Sequence, residues 1–369
     1  VKIGFDAKRA FLNSSGLGNY SRNTLNSLYK FFPENNYILF TPEINNKYFK
    51  KYSLFTVITP QYRLSRKLKS LWRSIFLVNQ LKNQGIELYH GLSNELPEGI
   101  SKKRITSVVT IHDLIFLRFP QYYNAIDRKI YYRKVKYAVR AADKIVAVSR
   151  QTKEDIETFF KVSPDKIEVI YQPVSPAFLK KQNSDHIRKK YDIPEAFILS
   201  VGTLEPRKNQ LTLLKAVNSA KINIPVVLTG NSTRYIAKLQ RYISQNNMQH
   251  QVKILSNLSQ DDLAGLYQSA LLSVYISLYE GFGLPVAESM ACGCPVITSG
   301  LSCLPETAGG AALLCNPHDE YEVGEKIKLL IDDASLRKSL SQKGTERSAM
   351  FDEEVYAKKL MSLYKNLTE

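Results

Sequence analysis

Ser273-Val-Tyr-Ile-Ser-Leu-Tyr-Glu280-Gly-Phe-Gly-Leu-Pro-Val-Ala-Glu288-Ser-Met-Ala-Cys-Gly-Cys-Pro-Val-Ile-Thr298 holds a strand, a loop, a helix and a second strand in one short run. Ser273–Ile276 and Val296–Thr298 are the strands. Gly281 and Gly283 open the backbone between them, and Pro285 suits the first turn of a helix. A strand that returns to a neighbour through a helix is a parallel crossover, so the fold class here is α/β.

Outward from this unit the same alternation repeats. Strands are expected at Val1–Asp6, Tyr37–Phe40, Phe55–Ile58, Glu87–His90, Ser107–His112 and Lys144–Val148, with Ile167–Tyr171 closing the first series. A second series runs through Phe197–Val201, Val226–Leu228, Lys253–Leu255, Ser273–Ile276, Val296–Thr298 and Ala312–Leu314. Between them Tyr171–Asp185 is polar and contains Pro173 and Pro176, as a linker does. The reading is two doubly wound domains, 1–175 and 176–352, and a tail helix within 353–369 carrying Val355, Leu360 and Leu363.

A chain of 369 residues suits two such domains, and 44% hydrophobic content can fill their cores. No apolar run is long enough for a membrane-spanning helix. Val1–Phe11 reads as a first strand rather than a signal peptide, because charges interrupt it. Cys292, Cys294, Cys303 and Cys315 lack metal-ligand spacing and read as reduced thiols of a cytoplasmic protein. No metal site is expected. The net charge of +17 is uneven: residues 1–175 hold 29 Lys/Arg against 14 Asp/Glu, or +15, which leaves +2 for the remainder. A strongly basic half fits nucleic acid, anionic lipid or an acidic small substrate.

In open parallel sheets ligands sit beyond the carboxyl ends of strands, so the loops there carry the chemistry. Gly16 and Gly18 follow the first strand and lead into a helix, where backbone amides can meet an anion. They do not complete a dinucleotide fingerprint, which argues against a dehydrogenase. Gly202-Thr203 is followed by Arg207-Lys208 just ahead of a helix. That is an unfavourable place for two cations unless an anion compensates, and a diphosphate suits a planar fork beside a point charge. Glu280 in the loop and Glu288 in the helix suit hydroxyl groups, which a nucleotide sugar offers on both sides of its diphosphate.

These segments, with Thr110-Ile-His112-Asp-Leu114, Val146-Ala-Val-Ser149 and Leu304-Pro-Glu306, resemble the family 4 retaining glycosyltransferases, particularly bacterial mannosyltransferase-like members. The resemblance implies the GT-B fold: two Rossmann-like domains facing across a cleft, with the C-terminal helix crossing back to the first. It implies that Arg207 and Lys208 bind the donor diphosphate and Glu288 its ribose, with Thr203 also among the donor-binding residues. Glu280 and the backbone of Gly281, Phe282, Gly283 and Leu284 would hold the donor sugar. The Gly16–Gly18 loop would close on the phosphates, and His112 would face the transferred sugar. His112 and Glu280 are the catalytic candidates. No cofactor is implied; GDP-mannose is the favoured donor and a UDP-sugar the next. The absence of a D-x-D pair fits a metal-independent site. Gln172-Pro173 departs from the family's usual Asn-Gly, which puts a hinge contact to the donor in question.

The basic first domain would receive a saccharide or lipid-linked saccharide acceptor. Arg63–Phe76, with Leu64, Leu68, Leu71, Trp72 and Ile75 at helical spacing, reads as an amphipathic helix for an anionic membrane surface; Arg128–Arg140 is a second basic stretch. That would place the protein at the inner face of the cytoplasmic membrane. The competing readings are a nucleotide-sugar epimerase of the same fold and a basic nucleic-acid-binding protein. The latter leaves Arg207, Lys208 and the two glutamates unexplained, so no nucleic-acid partner is expected.

Overall fold

The computed structural model describes residues 1–14, 16–60 and 72–369. The chain divides into two compact units, Val1–Pro173 with Glu353–Glu369, and Val174–Asp352.

In unit 1 the short apolar runs form β1 (Lys2–Asp6), β2 (Asn36–Phe40), β3 (Thr56–Ile58), β4 (Leu88–Gly91), β5 (Thr106–Ile111), β6 (Lys144–Ala147) and β7 (Ile167–Val169). They pair in parallel in the order β3-β2-β1-β4-β5-β6-β7. Alternate residues of one strand enter different cores, as the two-residue period requires. Ile38, Phe40, Val109 and Ile111 pack with Leu77, Val78 and Leu81 and with Val135 and Val139. Ile3, Phe5, Leu39 and Val108 pack with Tyr20, Leu25 and Leu28. Both faces are thus buried, the condition an all-parallel sheet needs. Helix starts are chemically marked: Ser149 Oγ accepts the Thr152 amide at 3.0 Å ahead of the helix Arg150–Phe160.

The C-terminal helix, Glu353–Thr368, belongs to unit 1 and adds Tyr356, Leu360, Met361, Leu363 and Tyr364 to the core around Phe5. Its two tyrosines cannot be buried without partners for their hydroxyls. Tyr356 Oη bonds Tyr20 Oη at 2.9 Å and Thr24 Oγ1 at 2.8 Å. Tyr364 Oη bonds His90 Nδ1 at 2.5 Å, and His90 Nε2 bonds Thr110 Oγ1 at 2.8 Å. Thr110 Oγ1 also meets Tyr20 Oη at 2.9 Å, which closes the chain of contacts. Burial holds His90 neutral, down at about 3.

In unit 2, β8 (Ile198–Val201), β9 (Val226–Thr229), β10 (Val252–Leu255), β11 (Leu272–Tyr275), β12 (Val296–Ser299) and β13 (Leu313–Cys315) are parallel in the order β10-β9-β8-β11-β12-β13. Strand order reverses between β1 and β4 in one sheet and between β8 and β11 in the other. Each reversal leaves a crevice beyond the carboxyl ends of its strands. The four thiols are unpaired, and three of them are buried. Among the described residues no helix is long and apolar enough to cross a membrane.

One expectation is corrected here. Residues 61–71 of the proposed membrane helix, with Leu64, Leu68 and Leu71, lie outside the described residues. Trp72, however, is 1% exposed, packs in the same core as Leu77 and Leu81, and donates from its indole nitrogen to Gln80 Oε1 at 3.1 Å. An element lying on a sheet must bury one face, and this indole finds its polar partner inside the fold.

Trp72 is the chain's sole tryptophan, so its fluorescence should already be blue-shifted in buffer and should not move when anionic vesicles are added. Tyr364→Phe leaves a buried ring nitrogen of His90 without its partner. It should cost about 1–3 kcal/mol in urea unfolding, and Tyr364→Ala distinctly more.

Candidate functional site

The crevice of unit 2 is built by the loops that follow β8 and β11. Gly202, at φ 148, follows β8. Pro206–Lys208 form one turn, and Asn209 at φ 62 starts the helix Gln210–Ser219. Asparagine tolerates the left-handed region, and its side chain secures it there by donating to the carbonyls of Pro317 at 2.6 Å and Ile276 at 3.3 Å. The turn is tied to the other loop as well, since the Leu278 amide donates to the Arg207 carbonyl at 2.9 Å. Arg207 and Lys208 are therefore fixed against the segment that carries Glu280.

The structure brings those three charges together. Glu280 Oε1 accepts from Arg207 Nη1 at 2.7 Å, Lys208 Nζ at 2.6 Å, Tyr275 Oη at 2.9 Å and Ser277 Oγ at 2.5 Å. Arg207 also donates to the Tyr279 carbonyl at 2.7 Å and to Glu205 Oε1 at 2.5 Å. Burial alone would push Glu280 up, but the charges of Lys208 and Arg207 outweigh it and hold the carboxyl down at about 2. For Arg207 burial is likewise outweighed, by Glu280 and Glu205, and its pKa is raised. For Lys208 burial prevails over the pull of Glu280, and its pKa is lowered. An anion entering this crevice meets two cations that already share one carboxylate oxygen.

Glu288 is set differently. It lies in the helix Leu284–Ala291, which starts at Gly283 with φ 92. A side chain on Gly283 would also press on Leu304, with 2.5 Å to its Cδ2. Pro285 has no N–H to leave unpaired in the first turn, and the Val286 amide donates to the Gly283 carbonyl at 2.9 Å. The side-chain carboxyl of Glu288 forms no ion pair or hydrogen bond among the described residues, and burial pushes it up to about 7. Phe282, 3% exposed, packs edge-on against Phe351. Thr203 lends its carbonyl to Gln210 Nε2 at 3.0 Å.

In unit 1, His112 follows β5 and is 5% exposed. Its Nε2 lies 2.9 Å from the Leu92 carbonyl and its Nδ1 lies 3.1 Å from Gln172 Nε2. A carbonyl can only accept and an amide nitrogen only donate, so the proton sits on Nε2. Burial brings His112 down to about 4, so it is neutral at pH 7. Tyr20 meets its ring edge-on at 4.5 Å between centroids. Gly16 stands in open space at the start of the helix Gly16–Phe31. Gly18 is required by packing, because a Cβ there would lie 1.9 Å from the Asn13 carbonyl.

Residues 16–178 match the family described as "Glycosyltransferase Family 4", and residues 183–347 match "Glycosyl transferases group 1". The chain belongs to the family 4 glycosyltransferases. The transferase is 27% identical to the O-antigen chain mannosyltransferase B of Escherichia coli, over all of both chains. It is 32% identical to the O-antigen chain mannosyltransferase RfbU of Salmonella typhimurium, over 60% of this chain and 59% of that one. Its fold is that of GT-B enzymes; Anabaena HepE, solved in complex with UDP, superposes with a TM-score of 0.79 at 17% identity over 100% of both chains.

Sequence reasoning missed Tyr275, Ser277 and Glu205, which hold the charged cluster, and Gln172, which sets the tautomer of His112. Tyr275 and Ser277 stand immediately before the glutamate motif and could have been flagged by proximity. The contact of Gln172, 60 residues from His112, carried no local signal.

Glu288 gives a pH signature. Its folded-state pKa is raised from 4.5 to about 7, so the folded enzyme holds a proton that the unfolded chain releases in that window. Stability therefore falls as pH rises from 4.5 to about 7. Glu288→Gln should raise Tm at pH 8 and show a shrinking advantage as the pH is lowered towards 5, read by calorimetry across that range.

Proposed function

We propose that the transferase moves a hexose, mannose in the first instance, from a nucleoside-diphosphate sugar to a saccharide or lipid-linked saccharide in surface polysaccharide assembly, with retention of anomeric configuration. The observation that carries the reading is the pair Arg207 and Lys208, held at the strand-order reversal of unit 2 beside Glu280, with Glu288 in the helix that follows the same loop. The names of the two mannosyltransferase relatives favour GDP-mannose over a UDP-sugar.

In this mechanism the donor diphosphate takes the outer hydrogen-bonding capacity of Arg207 and Lys208. Their charge stabilises the negative charge that grows on the phosphate as the glycosidic bond breaks. Ser277 and Tyr275 keep Glu280 in place while the cations turn to the ligand, leaving its carboxylate for a sugar hydroxyl. Glu288, with no internal partner to give up, accepts from the ribose. His112 meets the transferred sugar as a neutral ring. Its Nδ1 lone pair is occupied by Gln172, so the departing phosphate, rather than this histidine, assists removal of the acceptor proton. The two cations do the electrostatic work a metal would otherwise do.

The lipid-linked acceptor and a peripheral cytoplasmic location rest on the charge of the first domain. With Trp72 in the core, the surface we propose for anionic lipid is the helix Ala125–Ala141. There Ile126 is 74% exposed and Ile130 46%, among Arg128, Lys129 and Arg133.

Arg207→Ala and Lys208→Ala should each lower kcat/KM for the donor by about 1.5–3 kcal/mol of transition-state stabilisation, roughly 10- to 150-fold. Transfer should persist in EDTA. With GDP-mannose as donor, NMR of the product should show the α-configuration retained. An inverted product, or wild-type kinetics in either variant, would overturn the mechanism.

A further inference from the structure

The strand-order reversal of unit 1 carries its own charged cluster. Asp6, 3% exposed, ends β1, and Lys8 and Arg9 begin the short helix that follows. Glu95 lies just beyond β4. Between them Arg73, 8% exposed, forms an ion pair with Glu95 and lies 3.7 Å from Asp6 Oδ2. Lys134 approaches both Glu95 oxygens at 3.3 Å. A small cavity lined by Asp6, Arg73, Tyr89, Glu95, Leu96 and Pro97 lies among them.

The balance of charge differs from that in unit 2. There Arg207 and Lys208 are paired with Glu205 and Glu280. Here, among the described residues, four cations, Lys8, Arg9, Arg73 and Lys134, face two carboxylates. Arg73 and Lys134 use Glu95 and Asp6. Lys8, which is half-buried, has no acceptor for its ammonium among the described residues, and Arg9 Nε is buried without a partner. Uncompensated cations gathered at a sheet crevice are costly unless an anion arrives. The excess is felt locally: burial and then the charge of Arg73 bring Lys8 down to about 8. The charge of Arg9 also acts on Lys134 and on His112, so this cluster lies within electrostatic reach of the candidate catalytic histidine.

We propose that Lys8 and Arg9, backed by Arg73 and Lys134, bind a phosphate group of the acceptor at the strand-order reversal of the unit 1 sheet. The ligand class is a sugar carrying a phosphate monoester or diphosphate, the headgroup of a lipid-diphosphate-linked saccharide included. This deepens the glycosyltransferase reading and rests on its acceptor. It assigns the recognition to the phosphate rather than to a general attraction of the basic half for membranes.

The test reads Lys8 directly. Lysines of the full-length protein are labelled with [13C]methyl groups by reductive alkylation, the Lys8 resonance is assigned with Lys8→Arg, and its pH titration is followed by NMR. Inorganic pyrophosphate should raise the Lys8 midpoint by about 1 unit or more. Sodium chloride at equal ionic strength and phosphatidylglycerol vesicles should not. Arg9→Gln should weaken the pyrophosphate response about tenfold or more, Arg9→Lys should restore part of it, and Arg207→Ala, in the separate Glu280 cluster, should leave it unchanged. No shift with pyrophosphate, an equal shift with sodium chloride, or a shift with the vesicles as large as that with pyrophosphate would overturn the proposal. The signal is independent of donor and of turnover. If Lys8 responds as expected while GDP-mannose is not used, it is the donor reading that falls and not this site.

Discussion

Parallel strand pairing constrains everything else in this molecule. Two adjacent parallel strands cannot be joined by a hairpin, so each connection crosses a face of the sheet, usually as a helix. Both faces are then covered, and the loops leaving the carboxyl ends collect along one edge. Where strand order reverses, neighbouring crossovers diverge and a crevice remains. The chain has two such reversals, β1 against β4 and β8 against β11. Each gathers charged residues that are far apart in sequence.

In the unit 2 crevice two cations share one carboxylate. Arg207 and Lys208 are mostly shielded from water and would repel each other if left alone. Glu280, reinforced by Tyr275 and Ser277, supplies the missing charge at a single oxygen. The carboxylate thus holds the two loops together, and among the described residues only one of its oxygens is committed to the cluster. Glu288 stands outside this arrangement. With burial and no counter-charge it is the group whose ionisation the fold resists, and a hydroxyl donor is the partner that would relieve it.

Unit 1 depends on the last helix of the chain. Tyr356 and Tyr364 fill core volume and also finish the hydrogen bonds of Tyr20, Thr24 and His90. Through Tyr20, whose ring abuts His112, the packing of the C-terminal helix reaches the candidate site. His112 is held by Leu92, Gln172 and Tyr20, from three different parts of the unit, so its neutral form and tautomer are properties of the whole core.

By itself the sequence determined the alternation of elements. The runs that became β1–β13 are short and mostly apolar, and the helix start at Pro285 is local chemistry that needs no distant partner. The motif residues on strand-end loops, Arg207, Lys208, Glu280 and Glu288, were legible for the same reason: their types are unusual where they stand. What only the tertiary structure decided is who meets whom. Nothing in the spacing of Arg207 and Glu280 said that the cations and the carboxylate would share an oxygen rather than serve separate parts of a ligand. Nothing near His112 pointed to Gln172. The stripe around Trp72 has the same period whether it faces lipid or core, because helical periodicity records that one face is apolar and not what covers it. Burial is a property of the surroundings, and the pKa values, the hydrogen-bond partners and the uncompensated charge at Lys8 and Arg9 all follow from it.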